Sequence, residues 1–433
     1  MALLTQAPKG TQDLLPPKSW NWETVEDVMR SEAAIHGFGE VRTPVFEHTE
    51  LFLRSVGDTT DVVEKQMYTF NDKGGRSITL RPEGTAGAVR AMLEHALYND
   101  GLPVKLYYLT SCYRYEKPQA GRLREFHQFG VEMFGAEAPV ADAEVICLAK
   151  SIFDRLGVKN LTLELNSIGC PTCRAKFHEA LKQYFEGYKD ELCETCLSRL
   201  ERNPMRILDC KSPVCSKIAE GAPHILDYLC DDCKAHFEGV QSYLTAAGVE
   251  FVINPTIVRG LDYYNRTVFE FVSNDLGAQS TVCGGGRYDG LTEQMGGKSM
   301  AGLGFGLGME RLMLVLEAQK IELPEPPACE VYIASMGTDA AKEAFRLTTE
   351  LQRSGIVAAC DVCGRGLKAQ MKYANKIGAA FTLVLGDNEL AEKKAKMKNM
   401  KTGEEKPISL GEGFMNDYLS ISVAAEDLGE IAF

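Results

Sequence analysis

The stretch TSCYRYEKPQAGRLREFHQFGVEMFG, residues 110–135, decides how the first part of this chain folds. Its second half, REFHQFGVEMF, alternates polar and apolar side chains with the two-residue period of a strand that is buried on one face. Its first half ends an apolar run at residues 104–109, and Pro118 and Gly121 mark a loop between the halves. The pattern therefore predicts a β-hairpin.

The turn of this hairpin is rich in charge. Guanidinium groups match the geometry of phosphate oxygens, so cations gathered here suit a polyphosphate and a nucleic-acid backbone. A solvated surface hairpin would carry the same residues, and the stretch alone favours neither interpretation. The cations are Arg114, Lys117, Arg122 and Arg124, and the nearby carboxylates are Glu116 and Glu125.

The hairpin resembles the second signature motif of class II aminoacyl-tRNA synthetases in its histidyl form. The resemblance rests on RxE at 114–116, a PQxGR loop, and RxFxQxxxE at 124–132. The family usually has Arg at the place of Lys117 and often His at the place of Tyr115. Lysine keeps the charge there but lacks the bidentate fork.

Five further stretches resemble the same family in order along the chain. A helix at 23–34 followed by a strand from Val41 to Pro44 is similar to the first class II motif, which implies a dimer interface. TLRPEGTAG (79–87) and VRGLDYY (258–264) are similar to histidine-binding segments, and the second is the most specific match. GGRYDGL (285–291) and AGLGFGLGMERLMLVL (301–316) are similar to a second histidyl signature and to the third class II motif.

The resemblance implies a role for particular residues. It makes Arg259 and Arg114 catalytic. It assigns histidine binding to Glu83, Gly84, Thr85, Gln128, Glu132, Arg259, Tyr263 and Tyr264, ATP binding to Arg114, Glu116, Arg122, Phe126 and Arg311, and tRNA contact to Gln119. Without the resemblance, Thr85 reads as a plain helix N-cap, Arg259 and Asp262 as a structural ion pair, and Arg311 as a surface residue.

Composition limits the possible functions. A chain of 433 residues is long enough for two or three domains, and 45% hydrophobic with 25% charged residues is typical of a globular protein. The net charge of −13 argues against broad nucleic-acid binding, so an RNA partner must meet local basic patches. The chain shows neither a signal-peptide pattern nor 18 consecutive apolar residues, which predicts a cytoplasmic protein without membrane spans.

Eight of the fourteen cysteines fall between residues 170 and 233. They are spaced as C-x2-C at 170/173, 193/196 and 230/233, and as C-x4-C at 210/215. Cys170, Cys173, Cys193 and Cys196 approach the spacing of a tetrathiolate zinc site. Buried free cysteines are the alternative, and the sequence leaves open which four would share an ion.

The remaining chain predicts a second folded part. ELPEPPA (322–328) reads as a linker, and beyond it strands and helices alternate, which indicates a mixed or parallel sheet covered on both faces. A basic region around Arg365, Lys368, Lys372 and Lys376 resembles the family's anticodon-binding domain. We expect a class II catalytic domain at 1–325 with an antiparallel sheet of six or seven strands and a cysteine-rich insertion at about 170–235. An α/β anticodon-binding domain at 328–433 follows.

The resemblance implies an enzyme that forms histidyl-adenylate from L-histidine and ATP and transfers the histidyl group to the 3′ end of tRNA(His), with Mg²⁺ on the ATP and two chains in a homodimer. The alternative is a catalytically silent, histidine-binding regulatory subunit of histidine biosynthesis, which lacks the anticodon domain and the arginine set. A synthetase for another amino acid is a third possibility.

Overall fold

The computed structural model describes residues 5–56, 62–210, 212–259, 261 and 263–426. The chain divides into two compact units, residues 1–323 and 324–433. Throughout these described ranges, every helix is too short or too polar to cross a lipid bilayer.

The first unit contains strands and helices in alternating groups. In chain order its strands are β1 (Gly39–Glu40), β2 (Phe46–His48), β3 (Tyr68–Asn71), β4 (Ser77–Leu80), β5 (Val104–Tyr113), β6 (Glu125–Phe134), β7 (Leu161–Ser167), β8 (Val252–Ile253), β9 (Asn265–Ser273), β10 (Thr281–Arg287) and β11 (Gly302–Gly308). Its α-helices are α1 (Lys18–Ile35), α2 (Thr49–Val56), α3 (Thr85–Glu94), α4 (Pro139–Arg155), α5 (Pro171–Glu186), α6 (Glu194–Arg202), α7 (Pro213–Ala219), α8 (Asp231–Ala246), α9 (Leu291–Gln294) and α10 (Met309–Ala318).

Among the described residues, eight strands form the main sheet in the order β1-β5-β6-β11-β10-β9-β7-β8. The six strands from β5 to β7 in this order are antiparallel to their neighbours, whereas β1 and β8 join the two edges in parallel. The predicted class of sheet is confirmed. The two edge strands bring the number above the expected six or seven, because two residues are too few to show an alternating pattern.

The hairpin predicted from residues 110–135 is confirmed, since β5 and β6 pair in antiparallel register from Val104↔Phe134 to Tyr113↔Glu125. The strand expected from Val41 to Pro44 is misplaced. The chain pairs with β5 through Gly39–Glu40 instead, and only the Val41 amide extends this contact, donating to the Tyr107 carbonyl at 2.8 Å.

Helices α1, α4, α8 and α10 contribute to one apolar core on a single face of the main sheet. The core draws Phe129 and Val131 from β6 and Phe269 and Phe271 from β9, all at most 2% exposed. Helices therefore cover this face, whereas the other face carries the expected site residues beside a second apolar cluster that includes α3 and α5.

The second unit is a mixed sheet with helices, as the alternating pattern predicts. Its strands lie in the order β13-β12-β14-β15-β16, with the first three parallel and the last three antiparallel, and separate apolar clusters pack around it. The elements are β12 (Val331–Ser335), α11 (Thr338–Arg353), β13 (Ala358–Cys360), α12 (Leu367–Lys376), β14 (Phe381–Leu385), α13 (Asp387–Glu392), β15 (Lys394–Asn399), β16 (Glu405–Ser409) and α14 (Phe414–Glu426).

Candidate active site

Strand β6 carries three of the expected site residues on one face. Side chains alternate along a strand, so Phe126, Gln128 and Glu132 lie on the face opposite Phe129 and Val131, which enter the apolar core. The alternation that predicted the strand thus also separates site residues from core residues.

Glycines on the neighbouring strands make room for these side chains. A Cβ atom on Gly306 of β11 would collide with the amide group of Gln128, and one on Gly284 of β10 would collide with the Arg259 guanidinium. The glycine-rich stretches CGGGRYDGL and AGLGFGLG therefore matter here because they lack side chains on the site face.

A cavity of about 200 Å³ opens on this face. Four arginines reach it from the hairpin turn, from the loop before β9 and from α10. This concentration of cations suits a polyphosphate anion. The charged and polar side chains that line it are Arg114, Glu116, Arg122, Gln128, Arg259, Thr281, Glu310 and Arg311, with Phe126 beside them.

Arg114 is held in place from two sides. Its Nε donates to the Pro82 carbonyl at 2.8 Å, and its guanidinium carbon lies 5.1 Å from the centre of the Phe126 ring. Burial lowers the pKa of Arg114. Desolvation of the Arg114 cation costs free energy, and a bound anion would stabilise this cation.

Arg259 forms an ion pair with Glu270, whose other carboxylate oxygen accepts from Thr281 Oγ1 at 2.7 Å. Burial opposes its charge, but Glu270 and the nearby Tyr264 raise the pKa of Arg259 above its ordinary value. The Arg259 Nε is buried and has no hydrogen-bond partner among the described residues. This donor is therefore available to a ligand.

Arg311 anchors α10 to the cavity. Its Nε donates to the Gly121 carbonyl at 3.2 Å and its Nη1 to the Thr281 carbonyl at 2.7 Å. Burial, followed by the charges of Arg122 and Arg114, lowers the pKa of Arg311. The mutual repulsion of these cations would be relieved by a polyanion.

In the hairpin turn, Arg122 and Glu116 line the cavity, whereas Gln119 does not. Arg122 forms an ion pair with Glu116, which is 7% exposed. Gln119 and Arg122 exchange two backbone hydrogen bonds of 3.0 Å across the turn. The Gln119 side chain is exposed and does not line the cavity, so it lies where a large partner rather than ATP would meet it.

Glu132 is the most deeply buried carboxyl group of this face, at 1% exposure. Its oxygens accept hydrogen bonds from Tyr108 Oη, at 3.0 Å, and from Tyr288 Oη. Burial raises the pKa of Glu132 from 4.5 to about 8. At neutral pH the group is therefore mainly the neutral acid, which both donates and accepts.

Tyr263 and Tyr264 lie in the same buried region. Their ring centres are 4.6 Å apart, and the Tyr288 ring contacts Tyr263 edge-on at 5.4 Å. Each of the two is 6% exposed. Together with Glu132 they form a buried aromatic cluster with polar tips, a chemistry that suits a small heteroaromatic group.

The segment before α3 is organised by Glu83. Its two carboxylate oxygens accept from the backbone amides of Thr85, at 2.7 Å, and Ala86, at 2.8 Å, so Glu83 caps the helix. The plain N-cap role considered for Thr85 is wrong, because Gly84 occupies that position. The Gly84 amide donates to Gln128 Oε1 at 3.2 Å, which joins this segment to β6.

Three groups that sequence reasoning missed complete the site. Tyr288 lay within GGRYDGL and Glu310 directly before Arg311, so their motifs offered a signal. Tyr108 lies in an apolar run, which gives no sequence signal for a role in the site.

Glu310 accepts from the His127 amide at 3.0 Å and contacts the His127 ring Nδ1 at 2.9 Å. Asp262, considered as a structural partner of Arg259, lies outside the described residues.

The eight cysteines of the insertion gather in two groups of four. Cys170 and Cys173 meet Cys230 and Cys233, whereas Cys193 and Cys196 meet Cys210 and Cys215. Within each group the sulfur atoms lie within 4.8 Å of one another. The foursome suggested by sequence spacing, 170/173 with 193/196, is not the one that the fold brings together.

Comparisons with known proteins agree with this architecture. A family model described as "Histidyl-tRNA synthetase" matches residues 10–183 and 214–312, and one described as "Anticodon binding domain" matches residues 330–414. The "Histidine--tRNA ligase" of Caldanaerobacter subterraneus subsp. tengcongensis is 55% identical over 410 residues, which cover 95% of this chain and 98% of that protein. The ligase of Clostridioides difficile is 52% identical over 409 residues, covering 94% and 97%.

Solved structures of histidyl-tRNA synthetases are also similar to this chain. Apo histidyl-tRNA synthetase of S. aureus superposes with a TM-score of 0.81 at 42% identity, covering 94% of this chain and 98% of that one. A Bacillus halodurans C protein described as an "ATP phosphoribosyltransferase regulatory subunit/histidyl-tRNA synthetase" has a TM-score of 0.66 at 22% identity, so it shares the fold alone.

The antiparallel sheet, with an arginine-lined cavity on one face, has the fold of the class II aminoacyl-tRNA synthetases. Within that class, the chain belongs to the histidyl-tRNA synthetase family.

Proposed function

We propose that this chain activates L-histidine with ATP and transfers the histidyl group to tRNA(His). One observation carries the proposal: the four-arginine cavity lies on the same sheet face as the buried Glu132 and its tyrosines. An anion site beside a site for a small heteroaromatic group fits ATP and histidine. Its relatives of 52–55% identity over nearly the whole chain are histidine–tRNA ligases, not regulatory subunits.

In the first step the histidine carboxylate oxygen attacks the α-phosphorus, the bond to the bridging oxygen of pyrophosphate breaks, and histidyl-adenylate forms. Such a displacement depends on alignment and on cations more than on an acid or base. Arg259 and Arg114 neutralise the reacting phosphate, Arg311 binds the γ-phosphate, and Phe126 stacks on adenine. Arg122, in the hairpin turn, would reach over the phosphates.

Mg²⁺ accompanies ATP and is commonly held by one or two carboxylates together with substrate phosphates. The two carboxylates that line the cavity, Glu116 and Glu310, suit this role. Bound Mg²⁺ would neutralise charge on the β- and γ-phosphates.

Histidine is recognised through buried polar groups. We assign Glu83 and Gln128 to the α-amino group, and Gly84 and the Thr85 hydroxyl to the carboxylate. Glu132 and Tyr264 face the imidazole, whose two nitrogens need one donor and one acceptor. An apolar analogue would leave these groups unpaired, so it would be rejected strongly.

In the second step a 3′-terminal ribose hydroxyl of tRNA attacks the carbonyl carbon of the adenylate and AMP leaves. The exposed Gln119 turn would meet the acceptor end. We assign the catalytic domain to residues 1–325, with the insertion at about 170–235, and anticodon recognition to 328–433. We also propose a cytoplasmic homodimer, on the resemblance of the first class II motif.

ATP–pyrophosphate exchange with each amino acid in turn tests the proposal. We expect exchange with histidine alone. Exchange with another amino acid would overturn the substrate, and tight histidine binding without exchange would favour the regulatory alternative.

Deleting residues 328–433 tests whether the two domains serve different steps. Histidine-dependent exchange should remain measurable while tRNA charging falls steeply. The deletion should be compared at matched dimer content, measured by sedimentation. Full charging by a dimeric truncated protein would remove the anticodon role from the second unit.

A further inference from the structure

We propose that the insertion holds two zinc ions, each bound by four cysteine thiolates. The first site would be Cys170, Cys173, Cys230 and Cys233, and the second Cys193, Cys196, Cys210 and Cys215. Zinc prefers four thiolate ligands at about 2.3 Å in a tetrahedron, which sets neighbouring sulfurs roughly 3.8 Å apart. The sulfurs of Cys170 are 3.6 Å from Cys173 and 4.0 Å from Cys230, and Cys193 is 3.9 Å from Cys210.

Local sequence explains why the cysteines meet in pairs. In each C-x2-C segment the first cysteine has an extended backbone and is the N-cap of a helix. The second cysteine lies three residues further, in the first turn of that helix. This places both sulfurs at one helix start. Helices α5 and α8 converge in the first group, and α6 lies against the Cys210–Cys215 segment in the second.

Backbone amides already bond to the sulfurs. The Cys230 amide donates to Cys173 Sγ at 3.1 Å and the Cys193 amide to Cys215 Sγ at 3.3 Å. Both bonds cross from one pair to the other pair of the same group. These hydrogen bonds hold the sulfurs of the two pairs toward one another within each group.

Packing of uncharged thiols does not account for this arrangement. The inner cysteines, such as Cys196 and Cys215, are 0% exposed and would suit an apolar core. The outer cysteines 170, 193, 210 and 230 are only partly buried, yet their sulfurs turn to the same two centres. The insertion also has ample apolar side chains for its core, including Phe177, Leu181 and Phe185.

Each proposed site supports an arginine that donates to the backbone carbonyl of a candidate active-site residue, Tyr264 or Arg259. Arg174, the residue after Cys173, donates to the Tyr264 carbonyl at 3.1 Å. Arg206, between Cys196 and Cys210, donates to the Arg259 carbonyl at 2.9 Å. Zinc would thus fix the backbone at Arg259 and at Tyr264. This consequence rests on the proposed function, whereas the metal sites themselves do not.

Metal analysis of the purified full-length chain, grown with zinc, tests the sites directly. We expect about two zinc ions per chain, as two closed structural sites require. A mercurial thiol reagent should release both ions, which a metal-sensitive dye would count. Zinc-free protein that takes up no zinc after reduction, and whose melting temperature is unchanged by a chelator, would overturn the proposal.

Two double variants test the pairing. Cys173→Ala with Cys230→Ala removes ligands from one site only, so one zinc should remain. Cys173→Ala with Cys193→Ala damages both sites, so none should survive chelator treatment. Cys360→Ala with Cys363→Ala, at a C-x2-C spacing in the second unit, is the matched control and should keep two.

The opposite result, none in the first double variant and one in the second, would show that neighbours in sequence share an ion and would overturn the pairing. If the variants fail to fold, Co²⁺ exchanged into the unaltered chain provides the test. Visible bands of tetrahedral cobalt thiolate should saturate at two ions per chain, and their absence would refute both sites. Because these measurements count metal, failure to activate histidine would not affect them.

Discussion

The site face of the main sheet and the cysteine-rich insertion are built in opposite ways. On the sheet, Arg114, Arg259 and Arg311 come from distant parts of the sequence and meet because strand register and one helix place them together. In the insertion, half of each cysteine group is fixed locally by a C-x2-C segment, and folding only joins the halves. A substitution on the sheet should therefore abolish activity and leave the proposed zinc in place. A substitution that removes the proposed zinc, by contrast, should also lower activity.

The largest expected effect is on the sheet. Arg259→Ala removes a buried donor beside the reacting phosphate and leaves Glu270 without its cation, so adenylation should fall about 100-fold or more. Steady-state pyrophosphate exchange checks this. The loss should appear in kcat, whereas a raised KM with unchanged kcat would assign Arg259 to ground-state binding. Zinc content should not change.

A smaller effect should link the two regions. Arg174→Ala or Arg206→Ala removes one charge-assisted hydrogen bond to a backbone carbonyl of the candidate active site, and loss of about 1.4 kcal/mol of positioning would lower kcat roughly tenfold. Lysine at either position should restore part of it. The exposed Lys176→Ala on α5 is the control.

Zinc content and melting temperature should stay the same in both arginine variants. A loss of metal together with activity would instead show that these arginines support the folding of the insertion, and a normal kcat would break the proposed link.

The last effect is on stability rather than on activity, and it concerns the dependence of stability on pH. The pKa of Glu132 is raised from 4.5 to about 8 by burial, so the folded chain keeps this proton at higher pH than the unfolded chain. Its contribution to stability is complete below pH 4.5 and is lost as pH rises through 8. The slope is at most about 1.4 kcal/mol per pH unit.

Glu132→Gln removes this titration. Melting temperatures from pH 5 to 9 should therefore show wild type losing stability relative to the variant as pH rises. Glu317→Gln, on an exposed part of α10, is the control. Parallel curves for wild type and Glu132→Gln would mean that the carboxyl group is already ionised at pH 5.

Much of the architecture was predictable from sequence. The alternation at 125–134 gave β6 and its two faces, and the order of motifs from 79 to 316 gave the family and the residues of the cavity. These signals are local, because strand period, glycine runs and turn residues act within a few positions.

Other features needed the tertiary structure. Tyr108 and Tyr288 became partners of Glu132 only through pairing of β5 with β6 and the course of the chain after β10. Glu83 became a helix cap through a turn that no spacing rule specified.

The sequence by itself determined that six of the eight cysteines would form close pairs, because C-x2-C at a helix start brings two sulfurs to one side. Only the tertiary structure decided that 170/173 meet 230/233 and that 193/196 meet 210/215. The physical reason is that the packing of α5 against the segment at 225–228, beside α8, depends on apolar contacts between residues far apart in the chain. Spacing along the sequence does not encode these contacts.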